Sequence, residues 1–175
     1  MQRVMITGGP GSGKSTLARI LGDHSGLPVH HMDQIHWKPG WVQRDMTERV
    51  AMCHAVEKGE HWVFEGGFSA TYDHRAGRAD TQIWLDLPVM LRFWRVLRRL
   101  LRSYGETRAD MADNCPEVFH AGTIAFWHWI FTSRRRTRAR LARLIAQHPH
   151  LTIHQLQTRS QVRSYIASLT AKQES

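Results

Sequence analysis

Eight residues, Gly8-Gly9-Pro10-Gly11-Ser12-Gly13-Lys14-Ser15, fit the pattern G-x-x-x-x-G-K-[ST], and their types say what such a loop can hold. Glycines at 8, 9, 11 and 13 let the backbone enter φ > 0 and turn successive N–H groups onto one anion. A helix expected to begin there points its positive end at the same anion. Lys14 can reach β- and γ-phosphates, and the Ser15 hydroxyl can complete a Mg²⁺ shell. The alternative is a glycine-rich turn with an exposed lysine. An apolar strand before the run and an amphipathic helix after it favour a nucleoside-triphosphate site.

Carboxylates come next, because ligands of open α/β sheets lie at the carboxyl ends of strands. Asp33, Glu65 and Asp86 each end a strand-like run. Glu65, in WVFEGG, is the first choice to hold Mg²⁺ through its water shell, and the two glycines after it leave room for a substrate. Asp33 is placed to orient an acceptor hydroxyl or to serve as its base. For Asp86 the competing role, pairing with a surface arginine or capping a helix, is the stronger one. The run His31-Met32-Asp33-Gln34-Ile35-His36-Trp37 offers two histidines and an aspartate, but nothing elsewhere completes a transition-metal set. We read Trp37 and Trp41, with the Lys38-Pro39-Gly40 turn between them, as one wall of an acceptor pocket.

The third chemical feature is arginine. The chain carries 24 basic and 15 acidic residues, net +9. Residues 1–91 hold nine basic and ten acidic side chains, whereas 92–143 hold twelve arginines against four acids. Arg92, Arg95, Arg99 and Arg102 fall on one helical stripe, with Trp94, Leu97, Leu100 and Leu101 expected on the opposite, buried face. A polar loop with Arg108 and a second basic stretch, Arg134–Arg143, complete a lid-like hairpin able to bring guanidinium groups onto a triphosphate. The competing role is a solvated basic face, and for Arg136, Arg138, Arg140 and Arg143 it is the better reading.

The elements that must position these groups alternate between β- and α-type patterns, which predicts a parallel sheet covered by helices. Strands are expected at Arg3–Thr7, Leu27–Met32, His61–Glu65, Thr81–Asp86 and Leu151–His154. Helices are expected at Ser15–Gly22, Asp45–Lys58, Pro88–Arg102, Ile124–His148 and Gln161–Leu169. Residues 103–122 read as a loop with partial helix, and Trp127 and Trp129 face opposite sides of their helix, so at least one belongs to the core. The AKQES tail is expected to fray. A length of 175 residues with 42% apolar content suits one domain, 1–175, in which 92–143 form the lid. No apolar run approaches a membrane span, and no signal peptide or disulfide framework is evident, which suits a cytoplasmic protein with no membrane partner.

Together GGPGSGKST, HMDQIHWKPGW, WVFEGGFS, RADTQIWLDLP, the basic helix and TRADMADNCPE resemble the DNA topology modulation proteins over roughly residues 2–165. That family belongs to the P-loop kinase-like group, with adenylate, shikimate and gluconate kinases. The resemblance implies a three-layer α/β/α P-loop NTPase fold whose five-stranded parallel sheet has the order 2-3-1-4-5, with ATP at the first βα turn. It implies phosphate contacts from Gly11, Ser12, Gly13, Lys14, Ser15 and Thr16. Arg75 stands where related kinases grip the acceptor, Arg99 and Arg102 resemble their lid arginines, and the loop around Arg159 resembles an adenine-contacting loop. Two departures matter. Adenylate kinases carry D-G-F-P-R where this chain has Glu65-Gly66-Gly67-Phe68-Ser69, and Val89 follows Asp86-Leu87-Pro88 where many relatives have arginine. AMP as acceptor is therefore unsupported.

These readings converge on an ATP-dependent phosphotransferase. Its catalytic set is Lys14, Asp33, Arg99 and Arg102, and Ser15 and Glu65 hold the metal. Asp33, Trp37, Glu65 and Arg75 face a small or nucleotide-like acceptor. The rival is a nucleotide-switched protein that lays the same arginines on DNA, without base-reading motifs. An NTPase with no acceptor is the third possibility.

Overall fold

The computed structural model describes residues 1–171. Of the AKQES tail, residues 172–175 lie outside the described residues. Strand β1 (Arg3–Gly8) is followed by helix α1 (Lys14–Ser25), strand β2 (Val29–His31), a short helix α2 (Met32–His36) and two two-residue strands, β3 (Trp37–Lys38) and β4 (Val42–Gln43). Then come α3 (Met46–Glu57), β5 (Trp62–Glu65), α4 (Tyr72–Arg78), β6 (Thr81–Leu85), α5 (Val89–Arg102), α6 (Gly122–Thr132), α7 (Arg134–Gln147), β7 (Thr152–Leu156) and α8 (Arg159–Ala171).

The main sheet runs β2-β5-β1-β6-β7, all parallel; counting only its own five strands, the order is the expected 2-3-1-4-5. Period-two alternation sends Met5 to one face and Val4 and Ile6 to the other. On the first face Met5, Trp62, Phe64 and Trp84 pack with Cys53, Tyr72, Ala76, Leu141 and Leu144, which belong to α3, α4 and α7. On the second face Val4, Ile6, Val63 and Ile83 pack with Leu17 and Leu21 of α1 and with Val162, Tyr165 and Ile166 of α8. The central strands are buried on both faces, so their apolar runs are continuous.

Register brings the chemistry together. Ile6 lies opposite Glu65, and Glu65 opposite His31, so the ends of β1, β5 and β2 stand side by side at one edge of the sheet. Local signals set the helix starts: the Asp45 carboxylate accepts from Thr47 N at 2.8 Å and Glu48 N at 3.4 Å, capping α3.

Three expectations need correction, and one helix was not anticipated. β2 ends at His31, because Met32 already begins α2. The helix expected over Ile124–His148 is two, interrupted at Ser133, because α6 packs on α5 while α7 packs on α4. The 103–121 segment contains no helix; bridges Tyr104–Glu117 and Thr107–Pro116 fold it back on itself. Helix α4 carries little apolar periodicity because one of its three buried positions is Arg75. Among the described residues, no helix is long and apolar enough to cross a membrane.

Candidate nucleotide and acceptor site

The glycine run connects β1 to α1 as its composition requires. Gly11 has φ +72° and Gly13, the N-cap of α1, has φ +94°, conformations that carry a steric cost for any residue with a Cβ. Ser12 N donates to Gly9 O at 3.2 Å, closing the turn. The Ser12 hydroxyl is buried in this loop without a hydrogen-bond partner, as a donor kept for a ligand would be. Lys14 Nζ lies 3.5 Å from Gly9 O, across the mouth of the loop. Thr16 is exposed on the first turn of α1.

Beside the loop the Ser15 hydroxyl donates to Glu65 Oε1 at 2.9 Å, and His31 Nδ1 lies 2.9 Å from the same oxygen. Burial pushes the Glu65 carboxyl up, but the His31 contact, the Lys14 charge and the Ser15 hydroxyl together hold it below the ordinary glutamate value. Asp110, also buried, behaves alike: burial raises it, while Arg108 and a hydrogen bond with Ser15 bring it down. Asp33 goes the other way. Half of its side chain is exposed, yet desolvation and then the neighbouring Glu65 charge push its carboxyl above the ordinary aspartate value, despite Lys14 and Arg108. Three carboxylates with different protonation tendencies thus surround one serine and one lysine. This all-oxygen set fits Mg²⁺.

Arg108 ties the segment after α5 to this cluster, with Nη1 at 2.7 Å from Asp110, Nε at 2.8 Å from Glu117 and Nη2 at 3.9 Å from Asp33. The same segment is strapped to the β3–β4 hairpin. Gly40 N donates to Asn114 O at 3.0 Å, Trp41 N to Cys115 Sγ at 3.2 Å, and Trp41 Nε1 to Pro116 O at 3.0 Å. Trp41 (φ 62°) and Asn114 (φ 52°) are the two non-glycine residues with positive φ among the described residues, and they face each other across this contact. Trp37 stands edge-on to Trp41 with ring centroids 5.2 Å apart. Trp37, Pro39, Arg44 and Met111 help to line an open cleft of about 290 Å³ beside Asp33's helix.

The arginine helix is turned differently from the expectation. Arg92, Val96 and Leu100 are its buried residues, while Trp94 is 59% and Leu101 71% exposed. The helix crosses the glycine loop on one side and packs Phe93 against Trp127 and Phe131 of α6 on another, so the first part of its basic stripe faces inward. A Cβ on Gly9 would meet Arg92 Nη1 at 1.5 Å, and one on Gly11 would meet Arg92 O at 2.2 Å. Arg95 Nη1 donates to Ser12 O at 3.3 Å, and burial, followed by the nearby Arg159 charge, lowers its pKa. The structure brings Arg92 and Arg95 to the loop, with Arg159 beside Arg95, while Arg99 lies near the Arg108, Asp110 and Asp33 charges. Only the first half of α5 crosses the loop. In its second half Arg99 Nε pairs with Glu117 at 3.1 Å, and Arg102 is exposed.

Arg75 is a further correction. It is fully buried: Nε pairs with Glu57 at 3.1 Å, Nη1 donates to Gly66 O at 3.1 Å and Nη2 to Thr71 Oγ1 at 3.2 Å. Its guanidinium lies 3.6 Å from the Phe64 ring centroid. All three of its nitrogens are engaged inside the core, so it presents no exposed donor to an acceptor. Asp86 adopts the surface-pairing role, with Arg138 at 3.2 Å and Arg134 at 3.8 Å. Trp127 packs on Phe93 and Phe119, whereas Trp129 is half exposed. The sequence reading assigned no site role to His31 or Asp110. His31 was visible only as a possible metal ligand, and Asp110 lay unassigned inside TRADMADNCPE.

No protein-family model matches the chain, and no curated protein matches it. Solved structures do. A shikimate kinase from Bacteroides thetaiotaomicron aligns over 99% of both chains with a TM-score of 0.57 at 18% identity. A shikimate kinase from Acinetobacter baumannii, in complex with shikimate, covers 99% of this chain and 95% of its own, with a TM-score of 0.55 at 17% identity. A deoxyadenosine kinase from M. mycoides with bound dCTP covers 96% and 98%, with a TM-score of 0.50 at 12% identity. At such identities the likeness establishes the architecture: this chain has the three-layer α/β/α fold of the P-loop kinases.

Proposed function

We propose that the protein is an ATP-dependent phosphotransferase acting on a small or nucleotide-like hydroxyl acceptor, as the resemblance to the P-loop kinase-like group implies. The observation that carries this reading is the Lys14–Ser15–Glu65 cluster at the strand ends, with the raised carboxyl of Asp33 next to it. ATP·Mg²⁺ supplies the transferable phosphoryl group and the charge neutralisation. The loop backbone from Gly8 through Thr16, with Lys14, binds and orients the phosphates. Ser15 and Glu65 hold the metal side, and His31 fixes the Glu65 carboxylate. Asp33, a better base than an ordinary aspartate, takes the proton of the acceptor hydroxyl as its oxygen attacks the γ-phosphorus of ATP and ADP leaves. Arg92 and Arg95 place positive charge over the loop where transfer builds up negative charge. The Trp37 cleft receives the acceptor, and the exposed Arg159 at the start of α8 flanks the base of the nucleotide. Titration calorimetry with ATP·Mg²⁺ on wild type and Lys14→Ala tests the nucleotide site; equal affinity would remove it. A phosphoryl-transfer screen over nucleosides, nucleotides and small hydroxyl compounds then tests the reaction; hydrolysis alone, with no acceptor, would leave an NTPase.

A second reading, a nucleic-acid partner as in the DNA topology modulation family, has its own observation. Arg98, Arg102, Arg135, Arg136, Arg140 and Arg143 are all exposed and lie outside the ion pairs of the cleft. About six neutralised phosphates make affinity fall roughly 10³-fold over a fourfold rise in salt. Gel-shift titrations at 50 and 200 mM salt check this; no binding at the lower salt would dismiss a nucleic-acid role.

A further inference from the structure

A second cluster stands apart from the glycine loop, on the face where α3 meets α4. His54 and Glu57 lie three residues apart on α3, one turn of one face, and His74 comes from α4. One ligand atom from each of the three falls within 4.8 Å of the other two. The His54 and His74 rings lie 4.1 Å apart between centroids, at 33° to one another. Glu57 is fully buried, His54 partly so, and the His74 side chain is 46% exposed, so the trio opens to solvent at one end only. Glu57 divides its oxygens, Oε1 to Arg75 and Oε2 to His74 Nδ1.

We propose that His54, Glu57 and His74 form a binding site for a zinc-class transition-metal ion. Two imidazoles and one carboxylate are the donor set that zinc takes with three protein ligands and a fourth, open position, while Mg²⁺ and Ca²⁺ prefer all-oxygen sets. Zinc–nitrogen and zinc–oxygen bonds of about 2.0–2.2 Å place neighbouring ligand atoms some 3.3 Å apart, which the trio reaches by small side-chain rotations. The Arg75–Glu57 pair acts from behind as the outer shell, orienting the carboxylate through the oxygen the metal does not need. In the free protein a proton lies in the His74 Nδ1–Glu57 Oε2 hydrogen bond. Binding replaces it: the Nδ1 lone pair goes to the metal, and the neutral ring carries its single proton on Nε2 instead, a tautomer switch with no net loss of a proton. The fourth ligand is water at the exposed end. A metal there ties α3 to α4. It also stiffens a chain of contacts from Glu57 through Arg75 to Gly66, the neighbour of Glu65.

The test uses metal-stripped full-length protein and Zn²⁺ or Co²⁺ alone. Wild type should bind one Zn²⁺ tightly enough to raise its melting temperature. Co²⁺ should give the intense visible bands of a four-coordinate site. His74→Ala and His54→Ala should each weaken binding by at least the roughly 10–100-fold that even outer-shell partners are worth. His74 is half exposed, so its replacement leaves the fold intact, which the metal-free melting temperature checks. His31→Ala controls for metal captured at the glycine loop and should retain the site in full. Undiminished Zn²⁺ binding in His74→Ala and His54→Ala, loss of binding in His31→Ala alone, or octahedral Co²⁺ bands in wild type would each overturn the proposal.

Discussion

Arg75→Met discriminates between a core ion pair and an acceptor-binding arginine. Both members of the Arg75–Glu57 pair are fully buried. Methionine removes the charge but keeps an unbranched chain of similar length, so lost packing stays small and the unpaired Glu57 carboxylate dominates. Breaking one side of a buried pair costs about 3–5 kcal/mol. His74 still donates to Glu57 Oε2, which favours the lower half of that range. The contact with the Phe64 ring, at 3.6 Å, adds about 1–2 kcal/mol that methionine only partly recovers. For a chain of this size such a loss lowers the melting temperature by about 6–20 °C. The assay is urea and thermal denaturation of wild type, Arg75→Met, Glu57→Gln and the double variant. We expect the double variant to be more stable than Arg75→Met, because it removes the orphaned charge. Nucleotide binding measured well below the melting point should be unchanged. If Arg75→Met melts like wild type yet loses phosphoryl transfer to an acceptor, the core assignment fails and Arg75 belongs to the substrate site.

Two further predictions concern the glycine loop and the cleft carboxylates. Gly11→Ala puts a Cβ 2.2 Å from the Arg92 carbonyl oxygen at φ +72°, which we expect to cost about 2–5 kcal/mol and to lift α5 off the loop. Gly9→Ala meets only the far end of the Arg92 side chain and should be the milder change, so the reverse ranking in denaturant melts would refute the packing of α5 on the loop. Asp33 and Glu65 should give opposite pH signatures. The folded-state pKa of Glu65 is depressed, so its stabilisation is present above the ordinary 4.5 and disappears as pH falls through the lower folded value. That of Asp33 is raised, so ionising it opposes folding as pH climbs from 3.8 through the higher folded value. Asp33→Asn should therefore be more stable than wild type at neutral pH but no different well below pH 3.8, whereas Glu65→Gln should lose stability at neutral pH. Parallel pH–stability curves for wild type and Asp33→Asn would contradict this account.

Much of the framework was legible in the chain. Five parallel strands, their order and the helices on both faces followed from alternating runs and the resemblance, because a buried strand needs a continuous apolar run and a crossover helix needs an amphipathic one. The β1–loop–α1 unit was legible to within a few residues, since its glycines answer to backbone geometry that is local. Helix α4 was not, because Arg75 occupies a core position that periodicity assigns to an apolar side chain. The orientation of α5 also escaped. A stripe of arginines opposite a stripe of Trp94, Leu97, Leu100 and Leu101 says that two faces exist; of that stripe Leu100 is buried, whereas Trp94 and Leu101 are exposed.

The sequence by itself determined the phosphate-type loop, the candidate acids Asp33 and Glu65 and the concentration of net positive charge in 92–143. These rest on local spacing, on strand ends and on composition. Only the tertiary structure decided which arginines serve the loop. The β1–β5–β2 register set Glu65 between Ser15 and His31. The path of α5 set Arg92 and Arg95 on the loop and Arg99 near Asp110 and Asp33, and the fold of residues 103–121 brought Arg108 and Asp110 back to Asp33 and Ser15. Those outcomes depend on contacts between residues up to about ninety-five positions apart, such as Ser15 and Asp110. A guanidinium is indifferent, in sequence, to whether its partner is a carbonyl, a carboxylate or water. Packing makes that choice, through the desolvation cost each burial must offset.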